Sequence, residues 1–227
     1  MSQIPEGWPP EPHEAAALTA PLFPLPNVWL FPRVLMPLHI FEPRYRKMIE
    51  DSMDGPGRIV MGTIVEGHED EMPAAPPVHT VAGIGEILRH DKTDDGRYLI
   101  QLLGLERVIV RELETDEPYR RVAYEPLEEV AVSDDDDEEL RPQLLEAIGQ
   151  RLAKPFELPD DVSLGMLADV LLLRLKLSHA ELQDLYAQND PAERARGALA
   201  AHEIQPLPDR SELEDELEGD DEDDDLL

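Results

Sequence analysis

The chain contains no cysteine, and only 5% of its 227 residues are aromatic. The first absence removes disulfide staples, thiolate metal sites and a cysteine nucleophile together. Basic residues are also scarce: 20 Lys and Arg stand against 51 Asp and Glu, a net charge of −31. A surface of that sign repels phosphate backbones and weighs against nucleic-acid binding. No run approaches the roughly 20 apolar residues of a membrane-spanning helix. The opening MSQIPEGWPPEPHEAAALTA lacks the basic start and apolar stretch of a secretory signal. A cytoplasmic protein without membrane contact is expected.

Catalytic signatures are missing too. There is no G-x-x-x-x-G-K-[ST] loop to cradle a nucleotide, and no serine sits in a nucleophile-elbow setting. GHEDEM at 67–72 lacks the second histidine of a zinc-protease helix. The seven histidines are scattered, and DDDDEE at 134–139 lacks the glycine and spacing of a calcium loop. No cofactor, no metal and no catalysis are expected.

What the chain does have is 41% apolar residues, enough for a real core. Most of the negative charge falls outside 21–127 and 140–204. It sits in a leader (1–20), a connector (128–139) and a tail (205–227), which like-charge repulsion should keep extended. Two folded lobes remain.

The stretch PLFPLPNVWLFPRVLMPLHIFEPRYRKMIED at 21–51 carries six prolines, so it cannot be one helix. Residues preceding those prolines read as strand or turn. Pro43 occupies a favoured first helical position, with Arg44 to Ser52 following and DGPG at 54–57 stopping the helix. Short strands follow at 58–65, 78–82, 84–89, 97–103, 108–113 and 119–127, with Asp94, Asp95 and Gly96 as a hairpin signal and Gly104 as a turn or bulge. Beyond 139 the period becomes helical, over 140–154 and 162–177. Ser178 with Glu181 and Asp190 with Glu193 then read as capping boxes.

The order PLFPLP, LFP, PLHIFEPRYRKM is continued by DDGRY at 94–98, GLER at 104–107 and PYRRVAYEPLEE at 118–129, then by the helical KLSHAELQDLYAQNDPAERARGALAAH at 176–202. It resembles the LON domain, the N-terminal substrate-binding domain of ATP-dependent Lon proteases, across roughly 21–204. The resemblance implies an α+β fold: a compact, curved or barrel-like β lobe, PUA-like and with one embedded helix, followed by an α-helical bundle lobe. The ATPase and serine–lysine protease modules do not fit in the remaining length, so a LON domain standing alone is expected. By resemblance it binds unfolded or tagged polypeptides and serves as an adaptor for a protease or chaperone in trans. The alternatives are a PUA-like RNA binder, supported only by Arg44, Arg46, Lys47 and Arg58, and a relict hydrolase or peptidase.

The proline-rich stretch 25–33 offers Val28, Trp29, Phe31 and Arg33 as peptide-contacting candidates, with cover of the sheet core as the plainer reading of both aromatics. The family motif residues Pro37, His39, Phe41, Glu42, Arg44, Tyr45, Gly96, Gly104 and Arg107 read mainly as structural. Among them, Phe41 and Tyr45 are expected in the core, His39 half-buried, Glu42 and Arg44 fixing a corner, and Arg107 paired with its stem on the sheet.

Overall fold

The computed structural model describes residues 18–71, 75–152 and 162–209. Leu18 to Ala20, read from sequence as the end of an extended leader, belong to the first strand and correct that bound; the leader before 18 and the tail beyond 209 lie outside the described residues. The fold is mixed α and β, and the chain divides into two compact units, Met1–Leu127 and Glu128–Leu227.

The first unit holds β1 (Leu18–Leu25), β2 (Leu35–Ile40), α1 (Pro43–Met53), β3 (Arg58–Thr63), β4 (Val81–Lys92), β5 (Tyr98–Leu113) and β6 (Arg120–Pro126). The strands form one sheet in the order β2-β5-β4-β3-β1-β6, and β6 pairs with β5 as well. β1 and β3 are parallel; the other pairs are antiparallel. Strand alternation sends Leu22 and Val60 into one apolar cluster and their neighbours Phe23, Ile59 and Met61 into another. The second cluster receives α1 through Tyr45, Met48 and Ile49, spaced as one helix face requires.

Pro43 opens α1 as expected, and Gly57, at φ +68°, closes the turn that follows it. Exposed carboxylates on α1 tie it to the strands. Tyr98 Oη donates to Glu50 and Tyr119 Oη donates to Asp51, each at 2.9 Å. Lys92 and Tyr98 hold the Glu50 carboxyl below its usual range, and Lys47 chiefly does the same for Asp51.

Two expected breaks are absent. The sequence predicts separate strands on either side of Gly83 and Gly104, but β4 and β5 run straight through. Pairing skips from Ile84–Glu106 to Gly85–Gly104, leaving Leu105 over. Glycine here bends a continuous strand through a bulge and does not end it.

The second unit contains α2 (Asp134–Gln150), α3 (Leu164–Leu172), α4 (His179–Ala187) and α5 (Pro191–Ile204). α2 corrects the reading of 128–139 as an extended connector, because Asp134 to Glu139 are helical. Ser133 caps the helix, accepting from Asp136 N–H at 3.1 Å, and four aspartates occupy the first turn, where the helix dipole favours negative charge. Arg141 pairs with Asp137 at 2.8 Å and Arg196 with Asp136, offsetting the repulsion that sequence alone suggests. The leucine-rich 162–177 segment is helical only over Leu164–Leu172, where most of its buried residues lie; Leu173 beyond it is 47% exposed. Ser178 and Glu181 form the expected reciprocal box, and the Asp190 side chain accepts from the Ala192 and Glu193 N–H groups.

Arg194 on α5 is fully buried and ties this unit together. It meets Asp169 of α3 at 3.0 Å and Glu129 at 2.5 Å, and donates to the Gln188 carbonyl at 2.6 Å. At the far end of α5, Arg151 Nε donates to His202 Nδ1 at 2.7 Å. The imidazole proton therefore sits on Nε2, facing Gln150 Oε1 at 3.1 Å. Burial first, then the Arg151 charge, holds His202 below the usual histidine range.

Four stability outcomes are expected, each read by urea denaturation. Gly104→Ala would place a Cβ 2.0 Å from the Phe31 carbonyl oxygen, a collision expected to cost about 3 kcal/mol. Gly149→Ala meets nothing within 4 Å and should be neutral or slightly stabilising. Arg194→Ala leaves Asp169 buried without its cation and should cost about 3–5 kcal/mol. Because folding depresses the His202 imidazole, the unfolded chain takes up that proton first as pH falls. The stability is present above the unfolded histidine range, near about pH 6.5, and is lost below it. The wild-type midpoint should drop between about pH 7.5 and about pH 5.5, and the drop should shrink in His202→Gln.

Candidate functional site

The site begins with a parity argument on β2. Ile40 is buried, and Met36 and Leu38 pack against the same core. Alternation then turns Leu35, Pro37 and His39 outward. The antiparallel register sets Leu35 opposite Leu103, Pro37 opposite Gln101 and His39 opposite Leu99. β4 extends these rows with Glu86, Arg89 and Asp91. Leu35 is 46% exposed and Leu99 49%. Phe41, just past β2, is 59% exposed and lies edge-on to His39 with ring centroids 6.0 Å apart. Leu88, at the register shift between Ile87 and Arg89, is 57% exposed. An apolar strip thus lies on the outer face of β2 and β5, and charged pairs such as Arg89–Asp91 stand on the next strand.

The backbone of β2 adds a second property. Among the described residues β2 pairs only with β5, so its other side is an open edge. The Val34 carbonyl accepts from Gly104 N–H at 2.9 Å, which aims the even-numbered backbone groups at β5 and those of Leu35, Pro37 and His39 at the edge. Pro37 has no N–H to offer there. A continuous added strand is therefore blocked at its midpoint, while the side-chain face stays open.

Among the candidates at 28–33, Phe31 takes the plainer of its two readings, cover of the core, over the peptide-contacting one. Asn27 and Arg33 adopt positive φ (53° and 64°), folding the segment down onto the sheet. Thr63 Oγ1 donates to the Val28 carbonyl at 2.6 Å, and Arg33 N–H donates to the Gly104 carbonyl at 2.7 Å. Phe31 is only 2% exposed, with the buried Arg107 guanidinium 5.8 Å from its ring centroid. This corrects Phe31 as a peptide-contacting candidate: its ring belongs to the interior. Val28 and Trp29 are half-buried and Arg33 is exposed.

Two motif residues are also corrected. Phe41 is not core and His39 is not half-buried, since both share the outward parity that Ile40 in the core imposes. Tyr45 is core, edge-on to Phe23 at 4.6 Å, with the Arg44 guanidinium 4.5 Å from its ring and paired with Glu42 at 3.0 Å. Gly96 takes φ +79° in the β4–β5 hairpin. The exposed strip escaped the sequence reading because LMPLHIF is apolar in one phase and, apart from His39, in the other. The signal that could have found it is His39, the one polar side chain of the run, which marks its own phase as the outward one. Among the described residues no group of three or more His, Asp or Glu is placed to hold a metal ion.

Comparison with known proteins identifies the fold and family. The family model for the ATP-dependent protease La (LON) substrate-binding domain matches residues 19–200. A Lon protease of Flavobacterium johnsoniae is 27% identical over 197 residues, covering 82% of this chain and 24% of the relative. Lon protease 2 of Sorangium cellulosum is 30% identical over 188 residues, covering 82% of this chain and 22% of the relative. The chain thus spans about a quarter of the length of the relatives it matches. The N-terminal domain of a Mycobacterium avium complex Lon protease superposes with TM-score 0.62 at 16% identity, over 83% of this chain and 100% of that domain. A Lon N-terminal domain protein of Xanthomonas campestris gives 0.60 at 22%, over 83% and 99%. These relatives share the arrangement of sheet and helices derived above, and the chain belongs to the family of LON substrate-binding domains.

Proposed function

We propose that this chain is a non-catalytic binding module whose sheet unit docks extended apolar segments of unfolded or tagged polypeptides. The observation that carries the proposal is the outward strip of Leu35, Leu99 and Phe41, apolar and left exposed on a folded unit. Unfolded chains share extended backbone and apolar side chains, which is the chemistry such a strip recognises. The family's description as substrate-binding supports the same reading. So does the restriction of the match to about a quarter of the Lon relatives. In this reading the chain acts as an adaptor, handing clients to a protease or chaperone in trans. The strand lobe is read as barrel-like, since β6 pairs with both β1 and β5, and α2 to α5 as a bundle. Of the basic residues that would favour an RNA-binding reading, Arg58 pairs with Glu86, Arg44 with Glu42 and Lys47 with Asp51.

The test uses the full chain and fluorescently labelled, reduced and carboxymethylated α-lactalbumin, followed by anisotropy. The unfolded probe should bind and the native protein should not. Phe41→Asp combined with Leu99→Asp should weaken binding about tenfold or more, the loss of two side chains' apolar burial. Both residues are exposed, so the circular dichroism melt should hold. Trp29→Ala should have a smaller effect. Undiminished binding by the double variant, or a larger loss in Trp29→Ala, would move the site away from the strip.

A further inference from the structure

His39 stands in the middle of the strip, and it is the one titratable side chain among the outward residues of β2. Leu99 lies directly across from it, Phe41 touches its ring edge, and Leu35 lies four residues back on the same face. A segment laid across Leu35, Leu99 and Phe41 must cover the imidazole as well. A neutral imidazole is an amphipathic ring that tolerates being covered, whereas an imidazolium loses hydration that an apolar client cannot replace. Histidine is also the side chain that changes charge in the mildly acid range.

The groups facing His39 across the strand are uncharged, and the carboxylates farther out are already paired, Asp94 at the exposed hairpin tip excepted. On β5 the facing side chains are Leu99 and Gln101, both uncharged. On β4 the nearest carboxylate in the same row is Asp91, which pairs with Arg89 at 3.4 Å. In the β4–β5 hairpin Asp95 pairs with Arg97 at 2.9 Å, and at the corner after β2 Glu42 pairs with Arg44 at 3.0 Å. Lys92 pairs with Glu50 on α1 at 3.0 Å. Each of these carboxylates already has its cation.

We propose that His39 makes the docking face pH-responsive, so that neutral apolar segments are held near neutrality and released on mild acidification. The proposal rests on the reading of the strip as the client site and adds its regulation. Clients rich in Asp and Glu would escape it, because they bring the missing counter-charge with them.

The probe is a blocked, fluorescently labelled peptide of leucine, phenylalanine and serine, free of titratable groups. Wild-type affinity should fall about tenfold between about pH 7.5 and about pH 5.5, since exclusion of the charged ring costs up to a factor of ten per pH unit. His39→Gln should bind as tightly as wild type at the higher pH and lose less than about twofold at the lower. Acid destabilisation of the helical unit affects both proteins equally, so it cannot imitate this difference. Wild-type binding that ignores pH, or a His39→Gln variant that keeps the full response, would overturn the proposal while leaving the strip as the site. Absence of peptide binding at about pH 7.5, with the melt intact, would overturn the site and its regulation together.

Discussion

The segment 26–34 lies so close on β5 that its backbone occupies the space where residue 104 would carry a side chain. The Phe31 carbonyl oxygen sits 2.0 Å from that Cβ position, while Arg33 N–H and the Val34 carbonyl bond the two backbone groups of Gly104. This contact sets the register of β2 against β5 before β2 begins. Because strand side chains alternate strictly, a slip of one residue would bury Leu35, His39 and Phe41 and expose Met36, Leu38 and Ile40. The composition of the outer face is therefore decided by an absent side chain on the partner strand. The bulge that leaves Leu105 over and the pairing of Gly85 with Gly104 belong to the same device.

Much of the frame was legible because it depends on local chemistry. Pro43 at a helix start, the glycine turn at Gly96 and the capping pair Ser178–Glu181 are decided within a few residues of themselves, and each is found where the sequence places it. The family could be read from the same punctuation. What could not be read depends on contacts distant in sequence. Core cover is the plainer reading of Phe31, but the partners that fix it there, Gly104 and Arg107, lie more than seventy positions later. Phe41 is exposed because Ile40 is committed to the core, and in LMPLHIF only His39 hints locally at which phase is the outward one. The aspartates at 134–137 look like a repelling tether until Ser133, Arg141 and Arg196 are placed around them. Sequence reading failed where partners were remote and succeeded where they were adjacent.

The charge of the chain illustrates the same division. Acidic residues in the described part serve structure: Glu50 and Asp51 tie α1 to tyrosines, and Asp169 and Glu129 surround the buried Arg194. A buried arginine with two carboxylates gains little over a well-packed apolar residue, but it leaves few alternative arrangements for the helices that carry it. The net negative value is thus weak evidence about ligands. The informative surface is the small part of the sheet unit where charge is missing.

An exposed apolar strip beside an open sheet edge is ordinarily an aggregation hazard, and the way this hazard is contained bears on function. Strand addition needs a run of outward N–H and C=O groups, and apolar capture needs only side chains. Pro37 interrupts the first without touching the second, because its ring removes one donor while Leu35, Leu99 and Phe41 stay presented. Under the proposed function, a partner that must form a ladder is refused, whereas one that offers side chains at any register is accepted. That asymmetry favours weak, reversible contact with many sequences over tight pairing with one. The same proposal gives the polar ring in the centre of the strip a place: on a surface that selects by burial alone, a side chain whose hydration changes with protonation is the simplest lever on release.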